Sequence, residues 1–251
     1  WFTAGGDPAW EASGPERRVW VDGFVIRRDP VTNADFIAFL DDLVARGQGE
    51  QADRHVPRWQ RPTGQLQPPV YTRDADGRHH IAPDPDGDVW QPDWPVFLVE
   101  RSAAEAYAGW LAARTGLPWR LPWELEWEKA ARGVDGRRFP WGDHMDASFG
   151  CIRGGTAGRP LPAAVTAHPF DCSPYGVRGM AGNVQDWCLD AWAPAGPQVT
   201  GGRIARAPVV ADGTATVRGG AWNFQGDAAR CAFRIGRPSS SRRESLGIRL
   251  V

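Results

Sequence analysis

The stretch YGVRGMAGNVQDW (175–187), continued by RGGAWN (218–223), RCAFR (230–234) and SLGIRLV (245–251), decides how this chain reads. Short β-prone pieces alternate there with glycine and tryptophan, and no 3.6-residue period runs through them, so the last third predicts short strands carried in ordered loops. One cysteine, Cys231, stands inside it, and the position five residues earlier is Gly226.

Working back toward the start, the pattern becomes helical. Trp123, Trp127, Ala130 and Ala131 predict a short helix closed by Gly133. A longer helix is expected from Ser102, with Glu105 at capping-box spacing and Tyr107, Trp110 and Leu111 inside it, ending at Gly116. From Thr32, the residues Phe36, Phe39, Leu40, Leu43 and Val44 form one apolar stripe that Gly47 can stop. RVWVDGFVI (18–26) reads as a strand pair or a bent strand. Residues 47–94 are polar, proline-bearing and aperiodic, and predict a long loop excursion. Their DADG (74–77) and DPDGD (84–88) place carboxylates close together, but Asp-Gly pairs are ordinary turn formers and the spacing is not that of an EF-hand. Two helices early and many short strands late predict an α+β chain, a single domain over 1–251.

Composition narrows the function. Lys and Arg total 29 against 30 Asp and Glu, a net charge of -1, so no global field draws the chain to nucleic acid or an anionic membrane. No apolar run reaches the roughly 18 residues of a spanning helix, and no signal-peptide pattern precedes the fold. The chain starts at Trp1, which points to sequence trimmed or lying upstream. Cys151, Cys172, Cys188 and Cys231 form no CxxC pair and no zinc cluster, so buried reduced thiols and a cytoplasmic setting are expected. Fourteen tryptophans against three tyrosines are expected mostly in the core. There is no GxSxG elbow, Walker loop or dinucleotide turn.

Together with RLPWELEWEKAARG (120–133) and FPWGD (139–143), the closing motifs resemble the formylglycine-generating-enzyme or sulfatase-modifying-factor family. The resemblance covers roughly residues 18–251 and implies a C-type-lectin-like fold: a small twisted antiparallel sheet, two main helices and extensive ordered loops. In catalytic members it implies two thiolates holding copper(I), soft ligands for a soft ion, which use oxygen to convert a substrate cysteine to formylglycine. Cys231 corresponds to the second of that pair and Gly226 to the first, so copper chemistry is not expected here unless Cys188 or Cys172 approaches Cys231 in space. Another branch, the iron-dependent sulfoxide synthases, uses a histidine triad supplied partly by a preceding helical domain. His55, His79, His80, His144 and His168 form no HxxxHxE pattern. The resemblance also implies one structural calcium, held by the carbonyls of Gly179, Gly182 and Val184 and a carboxylate of Asp186, with Pro30 where relatives often add a glutamate. A second calcium loop would fall near Cys151 and Ile152, without an obvious downstream aspartate.

Segment 222–246 offers a different kind of site. Trp222, Phe224, Gln225, Arg230, Phe233, Ile235, Arg237, Ser239, Ser240, Arg242, Arg243 and Glu244 mix aromatic and arginine side chains with small polar ones, the usual anchors of a binding surface. Trp222, Arg234 and Arg249 are assigned to the scaffold, and Phe224, Arg237, Arg242 and Arg243 to the surface. HVPRW (55–59), DPDGDVWQPDWPVF (84–97), ELEWEKAARGVDGRRFPWGD (124–143) and YGVRGMAGNVQDWC (175–188) are most similar to versions attached behind bacterial serine/threonine kinases, implying an upstream kinase or other effector domain. The ending GIRLV is similar to variable proteins of diversity-generating retroelements. Both settings imply a ligand- or protein-binding module; the alternative is a copper oxidase of the formylglycine-generating type.

Overall fold

The computed structural model describes residues 1–84, 86–155, 157–206, 208 and 213–251, with Glu11 described by its backbone alone. Pro85, within the DPDGD motif, lies outside the described residues. The chain begins with β1 (Phe2–Ala4), which pairs with β2 (Arg17–Val19) in antiparallel register. The rest of RVWVDGFVI runs on without regular structure.

Helix α1 (Asn33–Ala45) starts where the sequence predicts. The Thr32 hydroxyl accepts from the Asp35 amide and the Asp35 carboxylate accepts from the Thr32 amide, both at 3.1 Å, a capping box with aspartate in the usual glutamate place. Phe36, Phe39, Leu40 and Leu43 are buried.

The expected loop excursion is more structured than its composition suggests. It carries α2 (Gly49–His55), then hairpins β3 (Arg58–Gln60) with β4 (Leu66–Pro69), and β5 (Tyr71–Arg73) with β6 (His79–Ile81). Within α2 only Ala52 is fully buried, too little apolar patterning to register as a helix. DADG and DPDGD are turns: Asp74 accepts from the amides of Asp76 and Arg78, and Asp84 from those of Asp86 and Asp88.

Helix α3 (Arg101–Thr115) begins one residue before the predicted start, and the proposed capping box is absent. Ser102 bonds the Glu100 carboxylate instead, while Glu105 pairs with Arg101 at 2.8 Å. Gly116, at φ 71°, closes the helix in the left-handed conformation that glycine adopts without a Cβ penalty. Helix α4 (Glu124–Arg132) follows, with the Trp123 amide donating to Glu126 at 3.0 Å.

The central sheet is assembled from β7 (Gln185–Ala191), β10 (Thr214–Arg218), β11 (Arg234–Pro238) and β12 (Leu246–Gly247), in the order β11-β10-β7-β12. Its first two pairings are antiparallel and β12 joins β7 in parallel. A small hairpin, β8 (Gln198–Thr200) with β9 (Arg203–Ala205), lies between β7 and β10 in sequence. On one face Trp187, Ala215, Val217 and Leu246 join Phe36, Phe39 and Tyr107 of α1 and α3 in the main core. On the other face Cys188 meets Trp127, Ala130 and Ala131 of α4. Strand β7 is therefore buried on both sides, which is why its sequence shows no clean alternation.

Helix α4 is fastened by charge. Arg218 pairs with Glu128 at 2.8 Å and Glu124 at 3.3 Å, Arg234 reaches Glu124 at 3.1 Å, and Arg132 reaches Glu128 at 3.0 Å, all of them buried. Such pairs specify how the helix sits more than they add net stability, because desolvation offsets much of the attraction.

Of the tryptophans, Trp90, Trp127 and Trp187 are fully buried. Trp59, Trp94, Trp110 and Trp119 pack partly buried against the main core and Trp141 against a smaller cluster, so most of the fourteen belong to the core or lie on it. Several have the indole N–H on a polar partner, as in Trp110 to Asp42 and Trp141 to the His144 carbonyl. No helix of the described residues is long and apolar enough to cross a membrane.

Candidate functional site

Cys231 follows a single 3-10 turn, Gly226–Ala229. Its amide donates to the Arg138 carbonyl at 2.8 Å, and its own carbonyl accepts from Arg218 at 2.9 Å. The side chain packs with Trp127, Met180 and Cys188 and is 1% exposed. Burial pushes its thiol well above the ordinary cysteine range. Cys188 is displaced the same way, and burial pushes Cys151 up to about 12. All four cysteines are free and only Cys172 is not buried.

Position 226 is closed by its neighbour. A Cβ built on Gly226 would lie 2.4 Å from the Met145 methyl carbon, so Met145 fills the space into which a side chain at 226 would grow. The sequence contains both residues but nothing that brings them together.

The loop Gly179–Asp186 wraps around an arginine. Arg249 donates to Asp186 Oδ2 at 2.8 Å, to the Arg28 and Arg178 carbonyls at 3.0 and 2.8 Å, and to the Gly179 carbonyl at 3.2 Å. Trp127 donates to the same Oδ2 at 2.8 Å. Asp186 Oδ1 is buried and has no hydrogen-bond partner among the described residues. Oδ1 is therefore the one Asp186 oxygen left open to an ion, while Gly179, one of the expected carbonyl ligands, is engaged by the arginine. An ion there would have one carboxylate, already shared with a guanidinium, and so little charge to hold it.

Asp171 is a residue that sequence reasoning missed. Fully buried, it accepts from the Met180 amide at 3.2 Å and the Ala181 amide at 3.1 Å, and burial pushes its carboxyl up to about 7. No local motif announces it, because its partners lie beyond the next turn.

Segment 222–246 divides differently from the expectation. Trp222 is scaffold as assigned: its indole donates to the Glu244 carbonyl at 2.8 Å. Phe233 is buried against Trp10, with Phe224 edge-on at 6.3 Å between centroids. Arg230 is committed to Asp7 at 3.0 Å. Arg242, expected at the surface, is buried: it donates to the Val56 and Arg54 carbonyls at 3.0 and 2.9 Å and pairs with Glu100 at 3.3 Å. It caps the end of α2, a helix the sequence pattern did not reveal. Gln225, Ser240 and Arg243 are exposed, while Phe224, Ile235, Arg237, Ser239 and Glu244 are half-buried. Thus Gln225 and Phe224 present one edge of the segment, and Arg237, Ser240 and Arg243 the other.

Residues 2–251 match the sequence pattern of the sulfatase-modifying factor enzyme 1-like domain. The chain belongs to that family. Among sulfatase-modifying-factor relatives it is 34% identical to the hercynine oxygenase of Mycolicibacterium smegmatis, over 94% of this chain and 54% of that protein. It is 30% identical to the formylglycine-generating enzyme of Thermomonospora curvata, over 73% of this chain and 65% of that one. With the serine/threonine-protein kinase pkn1 of Chlamydia pneumoniae it shares 28%, over 88% of this chain and 31% of the kinase. The chain thus spans about half the length of the hercynine oxygenases it matches. In fold it resembles PvdO from Pseudomonas aeruginosa (TM-score 0.73, 24% identity, 99% of this chain and 89% of that one). It also resembles Treponema denticola variable protein 1 (TM-score 0.65, 20% identity, 99% and 90%). The mixed α+β, lectin-like architecture expected from the motifs is the one observed.

Proposed function

We propose that this sulfatase-modifying-factor domain is a non-catalytic recognition module that binds a ligand or protein through the outward residues of segment 222–246. The carrying observation is that buried Cys231 is accompanied at position 226 by glycine, with the end of the Met145 side chain lying where a Cβ there would grow. A two-thiolate copper site has no second ligand at that place. Kinase relatives support attachment to an effector domain, and the likeness to a variable protein supports recognition by the closing segment. One structural calcium at Asp186 belongs to this reading as a stabiliser of the frame. Anaerobic copper(I) titration, followed by oxygen consumption with a cysteine-bearing peptide, tests it. Neither stoichiometric binding nor turnover is expected, and tight copper with turnover would sink the proposal. On an array of candidate proteins, Phe224→Ala should weaken a verified partner while the variant stays folded.

The hercynine oxygenase relatives favour a second reading, in which the chain is one half of an oxygenase and its metal is held elsewhere. The described residues contain no group of three His, Cys, Asp or Glu placed for a metal, so the ligands would come from outside this chain. Calorimetric titration with hercynine separates the two: saturable binding favours the oxygenase half.

A further inference from the structure

Beside the end of β11, the turn of the β3–β4 hairpin faces residues 238–244 across a cavity of about 290 Å³. Trp59, Arg61, Ser240, Arg242, Arg243 and Glu244 are among its walls. This volume lies at or below the lower end of small-molecule sites, roughly 300–1,000 Å³, and suits a protruding side chain better than a whole metabolite.

The wall is biased toward donors and positive charge. Arg242 is fixed by Glu100 and two carbonyls, and Glu244 accepts from Asn223 at 3.1 Å, so these two are engaged internally. Arg61 and Arg243 have no carboxylate partner among the described residues. On neighbouring β11, Arg237 also lacks one, and burial followed by repulsion from Arg243 lowers its pKa. The buried Nε of Arg237 and the buried indole Nε1 of Trp59 have no acceptor among the described residues. The cavity itself is thus lined by two guanidiniums without a carboxylate partner and one unsatisfied indole donor, with Arg237 beside it and within the field of Glu244. The single carboxylate of the wall, Glu244, is bonded by Asn223 and is outnumbered by the arginines, so a further negatively charged acceptor would be matched there.

We infer that this cavity receives a carboxylate side chain, aspartate or glutamate, from an acidic peptide segment of a protein partner. The inference rests on the reading of segment 222–246 as a recognition surface and supplies that surface with a ligand chemistry. A carboxylate offers acceptors only, matches the forked geometry of Arg61 and Arg243, and brings one negative charge. The engaged Glu244 in the wall opposes a dianionic phosphate more strongly than a monoanionic carboxylate.

The test uses the full chain and an acetylated, amidated Gly-Glu-Gly-Glu-Gly peptide, followed by calorimetry and tryptophan fluorescence, with the Gln-for-Glu peptide as control. The Glu peptide should saturate and bind about tenfold more tightly than the Gln peptide, with Arg243→Gln and Arg61→Gln each losing about that factor. Affinity should fall as NaCl rises from about 50 to 500 mM, since salt screens exposed charge. Both arginines are exposed, so neither variant endangers the fold. Equal affinity for the two peptides, absence of saturation, or displacement by inorganic phosphate more readily than by succinate overturns the inference. Binding of succinate alone, without the peptide, also overturns it, because the acceptor would then be a free acid. A partner that is sensitive to Phe224→Ala but indifferent to Arg243→Gln overturns the carboxylate pocket and leaves the recognition surface standing.

Discussion

Removing calcium is the perturbation that tests the Gly179–Asp186 loop most directly. A ligand that binds only the folded state stabilises it by RT ln(1 + [L]/Kd), about 1.4 kcal/mol when the ion stands at about ten times its Kd. With a single carboxylate, shared with Arg249, the site belongs with the weak modules whose Kd is about 0.1–1 mM. About 5 mM calcium should then approach saturation. For a chain of this size 1 kcal/mol moves Tm by about 2–4 °C, so chelation should lower the midpoint by about 3–6 °C. Differential scanning calorimetry in EDTA against 5 mM calcium, with magnesium as control, measures it. Asp186→Asn should abolish the difference, because it removes the charge while keeping an oxygen. Coincident midpoints with and without calcium in the native protein would refute the reasoning and leave Arg249 as the only cation of the loop.

Replacing Arg249 by Met should cost about 3–5 kcal/mol in urea titrations, because Asp186 is left buried without its charge partner; a loss below about 1 kcal/mol would count against the frame described for the loop. Native protein should expose at most the half-buried Cys172 to a disulfide reagent at neutral pH, and all four thiols after unfolding; rapid labelling of Cys231 would contradict its placement. Asp171 and Asp190 have folded pKa values of about 7, raised first by burial. The folded state therefore binds more protons than the unfolded one above the ordinary carboxylate range, and their contribution is lost as pH rises toward and through 7. Each can steepen the decline by up to about 1.4 kcal/mol per pH unit, and Asp171→Asn should flatten it in pH-dependent denaturation.

Features written in neighbouring residues were legible in the sequence. The α1 stripe and the glycines closing α3 and α4 are local signals, each settled by a few adjacent side chains. Long-range pairings were not. Arg242 sits in an Arg-Arg-Glu run that the sequence assigns to the surface, yet its guanidinium is consumed by carbonyls at the end of α2, far away in sequence. Met145 against Gly226 and Asp171 beneath Met180 are invisible for the same reason. At the candidate site, the family motifs located the segment, but which of its arginines face outward was decided by partners the segment does not contain.

The closing segment is clasped at both ends. Trp222 donates its amide to the Asn183 carbonyl and its indole N–H to the Glu244 carbonyl, while Leu246 pairs with Gln185 and Arg234 is locked to Glu124. The groups that keep this stretch folded are therefore not the ones it displays. Substitution at its outward positions therefore leaves the clasps untouched, and what the segment displays is separable from what holds it in place.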